Sequence, residues 1–461
     1  MSSLPVIAVF DVGKTNKKLF LFDEQYSIVY EQTDQFEETL DEDGDPCENL
    51  EKLTSWGRHS FSELSRLKDF DIRAINFTAY GASFVHIDEA GLPILPLFNY
   101  LKPFPEDLKK AFFEKYGGEV AMAMETASPV LDSLNSGLQL YRLQQEGKFE
   151  GKKSFSLHLP QYMSFLITGK MYSDITSIGC HTMLWHFRSN SYHPWVNEEK
   201  IAHRLAPVFP SDGVMHSRAH SKDFTVGVGL HDSSAALIPY LSSFHQPFIL
   251  ISTGTWCISL NPFNETPLTP EQLRQDCLAF LSYLGRPVKA SRLFAGYEHE
   301  EQIKRLAAKF QKHPSYFETV QFNRRFVEIL QRRNDEKEGL VRFPGPSVFR
   351  LRDLGGFNNY EEAYHRLIMD IMRQQVLSTR LVMEGQPVKR IFVDGGFGKN
   401  SVYMNLLADG FPGVEVFAAT VPQATAMGAG LAVHRHWNRQ DLPSDLIALK
   451  YYSGNSTAQP Q

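Results

Sequence analysis

The chain has 461 residues, 43% hydrophobic and 22% charged, with a formal net charge of −6; this is the profile of a globular protein long enough for two or three domains. The negative balance argues against non-specific nucleic-acid binding, which needs a basic surface, and leaves phosphate groups to be held by backbone amides and a metal ion. The N-terminus Met-Ser-Ser-Leu-Pro lacks a basic run, no apolar stretch approaches a membrane span, and Cys47, Cys180, Cys257 and Cys277 form no CxxC pair, which together predict a cytoplasmic chain with reduced cysteines and no membrane partner.

In chain order, Val6–Phe10 and Lys18–Phe22 read as strands joined at the tip Asp11-Val-Gly-Lys-Thr-Asn, a hairpin. At that tip Gly13 lets backbone approach a ligand, while Lys14, Thr15 and Asn16 offer donors to phosphate oxygens. Asp11 can hold Mg²⁺ through water. An ordinary turn with a solvated aspartate is the alternative. The acidic stretch Leu40–Glu51 predicts a surface loop, Leu53–Leu67 a helix and Arg73–Phe77 a strand. A strand and turn follow Tyr80. Cys180, His181 and His186 lie close together, but their spacing fits no usual metal pattern.

Residues 226–240 run through glycines to His231-Asp232 and then into small residues, which predicts a helix starting near Asp232. A carboxylate there accepts backbone N–H bonds at the positive helix end. It serves either as a plain N-cap or as an oriented base for an alcohol proton. The stretch 247–260 repeats the first hairpin, with Thr253, Gly254 and Thr255 as a second phosphate-binding tip and Trp256 packed behind it. Arg390–Val393 reads as a strand entering Asp394-Gly-Gly-Phe-Gly-Lys-Asn. Its glycines Gly395 and Gly396 allow a flat base or ribose against backbone, and Asn400 caps a helix from Ser401. GxGxxG and GxxxxGK[ST] spacings are absent. A last glycine-containing helix covers Ala424–His434. Two similar hairpins half a chain apart suggest an internal duplication with a boundary near 240–246.

Taken together these segments resemble the FGGY sugar kinases. Asp11-Val-Gly-Lys-Thr resembles the first phosphate motif, Gly229-Leu-His-Asp-Ser-Ser-Ala-Ala the catalytic-aspartate motif and Ser252-Thr-Gly-Thr-Trp the second phosphate motif. Asp394-Gly-Gly-Phe-Gly-Lys-Asn resembles the adenosine motif, Leu166-Ile-Thr-Gly the LTG segment, and Pro422–Gly430 the C-terminal helix. The segment Thr78–Gly91 resembles the rhamnulokinase and fuculokinase branch. The resemblance implies an α/β, duplicated ribonuclease-H-like (actin-like ATPase) fold, with domains 1–243 and 244–461 around a cleft. It implies ATP and Mg²⁺ as cofactors, Asp232 as general base, Asp11 and Asp232 at the metal, and Gly395, Gly396, Phe397 and Asn400 at adenosine. The sugar side would use Tyr80, Gly81, Ala82, Asn99, Tyr100, His231 and Asp232. The implied substrate is a 6-deoxy ketohexose such as L-rhamnulose or L-fuculose, with a xylulose-type pentulose as the alternative. An actin-like ATPase and an inactive sugar-binding regulator are the remoter readings. Members often pair, which leaves a homodimer open. The departures lie at Lys14-Thr15-Asn16 in the first tip, at Phe98–Pro103, which lacks the WxDxR Asp and Arg, and at Gln161, where an acidic residue is usual.

Overall fold

A computed structural model describes residues 3–64, 66–81, 83–151, 153–219, 222–333 and 341–454. Alternating apolar residues from Val6 to Val12 set the first strand. Val6, Ala8, Phe10 and Val12 face one core, while Ile7 and Val9 face another, the period-two signature of a strand buried on both sides. This strand, β1 (Leu4–Val12), turns back as β2 (Asn16–Asp23) and β3 (Ile28–Gln35). β4 (Phe70–Ala79), β5 (Val214–Ala219), β6 (Lys222–Gly227) and β7 (Leu230–His231) complete a sheet ordered β5-β6-β4-β1-β2-β3, with β7 beside β4. β1 is antiparallel to β2 and parallel to β4.

The second half repeats the plan. β8 (Phe248–Thr253), β9 (Cys257–Asn261), β10 (Cys277–Leu281), β11 (Pro287–Leu293), β12 (Arg390–Gly395), β13 (Glu415–Thr420) and β14 (Ala448–Tyr452) are ordered β10-β11-β9-β8-β12-β13-β14. Again the first strand, β8, is antiparallel to β9 and parallel to β12. The matching cores β3-β2-β1-β4-β6 and β11-β9-β8-β12-β13 are the duplicated ribonuclease-H-like topology. The first sheet draws on residues 4–231 and the second on 248–452.

Helices α1 (Leu50–Leu64) and α2 (Leu159–Thr168) cover the outer face of the first sheet. α3 (Asp232–Ser243) lies between the sheets. α4 (Ala295–Phe310), α5 (Tyr360–Met383) and α6 (Ser401–Gly410) cover the outer face of the second. α7 (Ala424–Ala432) returns from the C-terminal half to pack with α3 in the central core. That crossing is tight. A Cβ on Gly428 would stand 1.8 Å from the carbonyl oxygen of Ala235, so only glycine lets the two backbones meet there. Asn76 of β4 links the same region, donating to Ala429 O at 2.7 Å and accepting from Gly229 N at 3.2 Å.

Helix α1 begins three residues earlier than its apolar spacing suggests, because Asn49 Oδ1 accepts from Lys52 N at 3.0 Å and caps it. The acidic stretch before it is not simply a solvated loop. Thr39–Leu40 pairs with Pro46–Cys47, and the Asp41 side chain is buried against Lys102. The expected last helix stops at Ala432, followed by a short turn of helix at His434–Trp437. The four cysteines are buried and form no disulfide among the described residues. No helix among the described residues is long and apolar enough to cross a membrane.

Candidate active site

Asp232 is the first residue of α3. Its Oδ1 accepts from Ser233 N at 2.6 Å and lies 3.2 Å from His231 Nε2. The path to this position is fixed by buried polar contacts. Asp174 caps a turn of helix, bonding Thr176 and Ser211. Thr176 Oγ1 in turn accepts His231 N at 2.9 Å. Gln161 Nε2, where an acidic residue was expected from the resemblance, donates to Gly229 O at 2.8 Å. Gly229 needs to be glycine: its φ is +87° and a Cβ would meet Pro160 O at 2.5 Å. Gly81 packs so closely on the His231 ring that a Cβ would lie 2.7 Å from Nε2.

A cavity of about 300 Å³ opens at Asp232, walled by both halves of the chain. His181 and His231 come from the first half; Ser252, Arg292 and Asp394 come from the second, with Thr425 at the start of α7. Its floor is apolar, formed by Ile258, Leu260, Leu278 and Phe280 of the second sheet. His231 Nδ1 and His181 Nε2 are buried and carry no hydrogen bond among the described residues. Burial holds the His231 imidazole below its usual value against the pull of Asp232, and drives His181 down to about 3. Both rings are therefore neutral near pH 7.

Asp11 stands at the end of β1 and accepts from Thr425 Oγ1 at 2.7 Å. Burial raises its pKa to about 6; the Thr425 bond opposes the rise and the charge of Asp232 adds to it. The two carboxylates thus share one electrostatic environment. Asp394 is raised as well by burial, against bonds from Gly395 N and Tyr240 OH. Carboxylate oxygens with a hydroxyl beside them are the donor set of a hard cation such as Mg²⁺, which uses one or two carboxylates plus substrate phosphates. Among the described residues, a cluster of three carboxylates occurs at Asp41, Asp43 and Asp45, and there the Lys102 ammonium already sits between them.

A second cavity, of about 700 Å³, adjoins the hairpin tip of the second half. Thr253, Gly254, Gly396, Phe397 and Asn400 line it, so the second tip and the glycine loop after β12 share one space. Successive residues of a strand face opposite ways. Ser252 accordingly lines the Asp232 cavity and Thr253 the other, making the end of β8 their common wall. Gly395 is not among the lining residues; at φ +90° it packs against Thr253 O. Phe397 stacks on Tyr403 with centroids 4.5 Å apart, and Asn400 caps α6 by accepting Tyr403 N at 3.1 Å. Sequence reasoning missed the opposite wall, Gly296 and His299 of α4 with Phe317. Burial lowers His299 to about 4.

Several tip groups are already engaged. Gly13 N donates to Asn16 O at 2.9 Å, closing the first turn. Asn16 Oδ1 accepts from Gln35, and Lys14 pairs with Glu38 at 2.6 Å. Such partly exposed pairs contribute only about 0.2–1 kcal/mol and release easily. Thr15 is exposed. The Thr253 hydroxyl donates to Asp394 O and accepts from Phe397 N, so it ties two motifs together rather than pointing free. Thr255 is exposed at the tip. Trp256 is also exposed, stacked on Phe294 and under the Arg292 guanidinium, in place of the position behind the tip that its hydrophobicity predicts.

On the first half, Tyr80 is buried and donates to Glu48 Oε2 at 3.2 Å, while Glu48 pairs with buried Lys17 at 2.8 Å. Tyr100 lies 5.9 Å from Tyr80, centroid to centroid. Burial raises its phenol pKa, Lys14 opposes and Asp232 adds. Asn99 uses its side-chain oxygen to accept Leu101 N at 2.9 Å. His231 and Asp232 line the cavity at the head of α3; Tyr80, Gly81, Asn99 and Tyr100 are not among its lining residues. Ala82 lies outside the described residues. Arg292 and Thr425 line the cavity without a role assigned from the sequence, and Ser252 was read only as part of the second phosphate motif. Arg292 is anchored to Asp276 at 2.5 Å.

Residues 245–441 match the family model described as carbohydrate kinase FGGY, C-terminal domain. No curated protein matches the chain in sequence. Among solved structures, the fold is similar to a carbohydrate kinase from Novosphingobium aromaticivorans, at 22% identity over 98% of this chain and 97% of that one, with a TM-score of 0.77. It is similar also to a xylulose kinase from Rhodospirillum rubrum, at 14% identity over 98% and 94%, TM-score 0.79. A ligand-bound xylulose kinase from Lactobacillus acidophilus gives 15% identity over 98% and 94%, TM-score 0.76.

Proposed function

We propose that the protein, whose residues 245–441 match the carbohydrate kinase FGGY C-terminal domain model, transfers the γ-phosphoryl group of ATP to a hydroxyl of a ketose, with Asp232 as general base. The observation that carries this reading is the position of Asp232. It stands at the head of a helix, in a cavity between two halves that each present a hairpin tip, beside the cavity that suits adenosine. The domains run from 1 to 243 and from 244 to 461, the first holding the sugar side and the second the nucleotide.

The chemistry follows from the groups present. The substrate hydroxyl gives its proton to an Asp232 carboxylate oxygen as its own oxygen bonds to the γ-phosphorus. The bond from that phosphorus to the β–γ bridging oxygen breaks, and ADP leaves. Such a transition state is loose and needs positioning and charge stabilisation more than covalent help. Asp11, Asp232 and the Thr425 hydroxyl would hold Mg²⁺, which neutralises charge on the phosphoryl oxygens. Backbone at Gly13 and Gly254, with Lys14, Thr15, Asn16, Thr253 and Thr255, shapes the two tips toward the phosphates. Gly396, Phe397 and Asn400 wall the adenosine space, with Gly395 supporting the loop. Neutral His231, with Tyr80, Gly81, Asn99 and Tyr100, frames the sugar.

The apolar floor of Ile258, Leu260, Leu278 and Phe280 favours a methyl-bearing 6-deoxy ketohexose such as L-rhamnulose or L-fuculose. A pentulose is the second reading, favoured by the xylulose kinases with this fold. The protein works in the cytoplasm, without nucleic-acid or membrane partners. The test is ADP release by wild-type protein with ATP and Mg²⁺, alone and with L-rhamnulose, L-fuculose, L-xylulose or D-xylulose. Release that waits on one ketose supports the proposal; steady ATP hydrolysis indifferent to all four points instead to an actin-like ATPase.

A further inference from the structure

The turn that carries Tyr100 is tied down. Lys102 N donates to Asn99 O at 3.0 Å and Leu101 N to Asn99 Oδ1 at 2.9 Å, so residues 99–102 form a closed turn. At its end the Lys102 side chain is only 4% exposed, and its ammonium meets Asp41, Asp43 and Asp45 at 2.5, 2.8 and 3.0 Å. The receiving loop is organised in advance. Asp41 Oδ1 accepts the backbone N–H of Asp43 at 2.9 Å and of Asp45 at 3.0 Å. Three residues further on, Glu48 holds Tyr80, the ring that faces Tyr100.

We propose that Lys102 is a positioning residue for sugar recognition: gripped by Asp41, Asp43 and Asp45, it fixes the 99–102 turn so that Tyr100 stands against Tyr80, whose neighbour Gly81 packs on the His231 ring. One strap, residues 41–48, thereby sets both tyrosines, one through Lys102 and one through Glu48. The claim rests on the sugar-kinase reading above. It explains why an acidic loop is drawn into the fold, and why the ammonium is buried without touching the cavity. A side chain acting this way changes how well the sugar is bound and leaves the nucleotide alone.

The test is steady-state kinetics of the full chain with ATP and whichever of the four ketoses the wild type phosphorylates best. Lys102→Met raises the KM for the ketose roughly tenfold, with kcat within about threefold and the KM for ATP unchanged, the pattern of lost substrate positioning. Lys102→Arg, which keeps the charge, recovers most of the ketose KM. Removing Lys102 leaves Asp41 buried without a counter-charge, so a second variant guards against misfolding: Asp43→Asn with Asp45→Asn, both on exposed carboxylates, raises the ketose KM about threefold. An unchanged ketose KM in the folded Lys102→Met protein overturns the proposal, as does an unchanged KM in the double asparagine variant. Equal losses in both KM values and in kcat overturn it too, because they mark a purely structural role. A wild type inactive on all four ketoses overturns the sugar-kinase reading and this one with it, whereas an active wild type with an indifferent variant overturns this one alone.

Discussion

Asp11 shows how one residue couples the fold to its chemistry. Burial, with Asp232 nearby, raises its pKa from 3.8 to about 6. The folded state therefore binds protons more tightly than the unfolded one, and in the ligand-free protein this group's contribution to stability is full below about pH 4 and falls as pH rises to about 6. The charged form is the one that can help hold a cation. At limiting Mg²⁺, kcat/KM should rise about tenfold per pH unit on approach to pH 6 and then level off. Asp11→Asn should remove that limb, and a wild-type profile flat from pH 5 to 7 at limiting Mg²⁺ would contradict the assignment. Asp11 and Asp232 were legible in the sequence because each follows a strand-like run and sits beside glycine or a helix start, which is local information. The cavity positions of Ser252, Arg292 and Thr425 were not, since they reach the cavity only through strand alternation and the return of α7. Thr253 was legible as a motif residue, but the partners of its hydroxyl, Asp394 O and Phe397 N, lie 141 and 144 residues away, which no local pattern reveals.

At the scale of elements, the α3–α7 crossing connects both halves to the site. α3 carries Asp232 at its head and α7 carries Thr425, which bonds Asp11. The gap between the helices is set by Gly428 against Ala235 O, 1.8 Å from where a Cβ would lie. Helix backbone cannot yield as a side chain does, so Gly428→Ala should push the crossing apart. We expect a stability loss of about 1–3 kcal/mol, seen as a lower thermal midpoint, together with a lower kcat, because overpacking here displaces the catalytic helix. A variant with wild-type midpoint and turnover would show that the crossing is not close-packed. The two hairpins and the helix starts at Asp232 and Ser401 were readable from alternation and capping. α5 (Tyr360–Met383) was not, because it is buried on most sides and holds charged Arg366 and Asp370 in the interior, so its charged residues do not mark a solvent face. The edge strand β14 was also silent: it is exposed almost throughout and so lacks an apolar alternation.

At the scale of the whole molecule, the duplicated sheets put two loops of similar design on either side of one cleft, and the end of β8 divides it into the two cavities proposed for nucleotide and acceptor. The duplication was legible from two hairpins half a chain apart; the wall supplied by α4 and the apolar floor from β9 and β10 emerge only once the second sheet is assembled. Closing such a cleft excludes water that would otherwise accept the phosphoryl group, which is why hydrolysis should remain near background until the ketose is present. The account stands most directly on Asp232. Turnover of ATP and the preferred ketose should fall about two to four decades in Asp232→Asn, the span of general-base removal, while its thermal midpoint stays near that of the wild type; near-native turnover by that variant would contradict it.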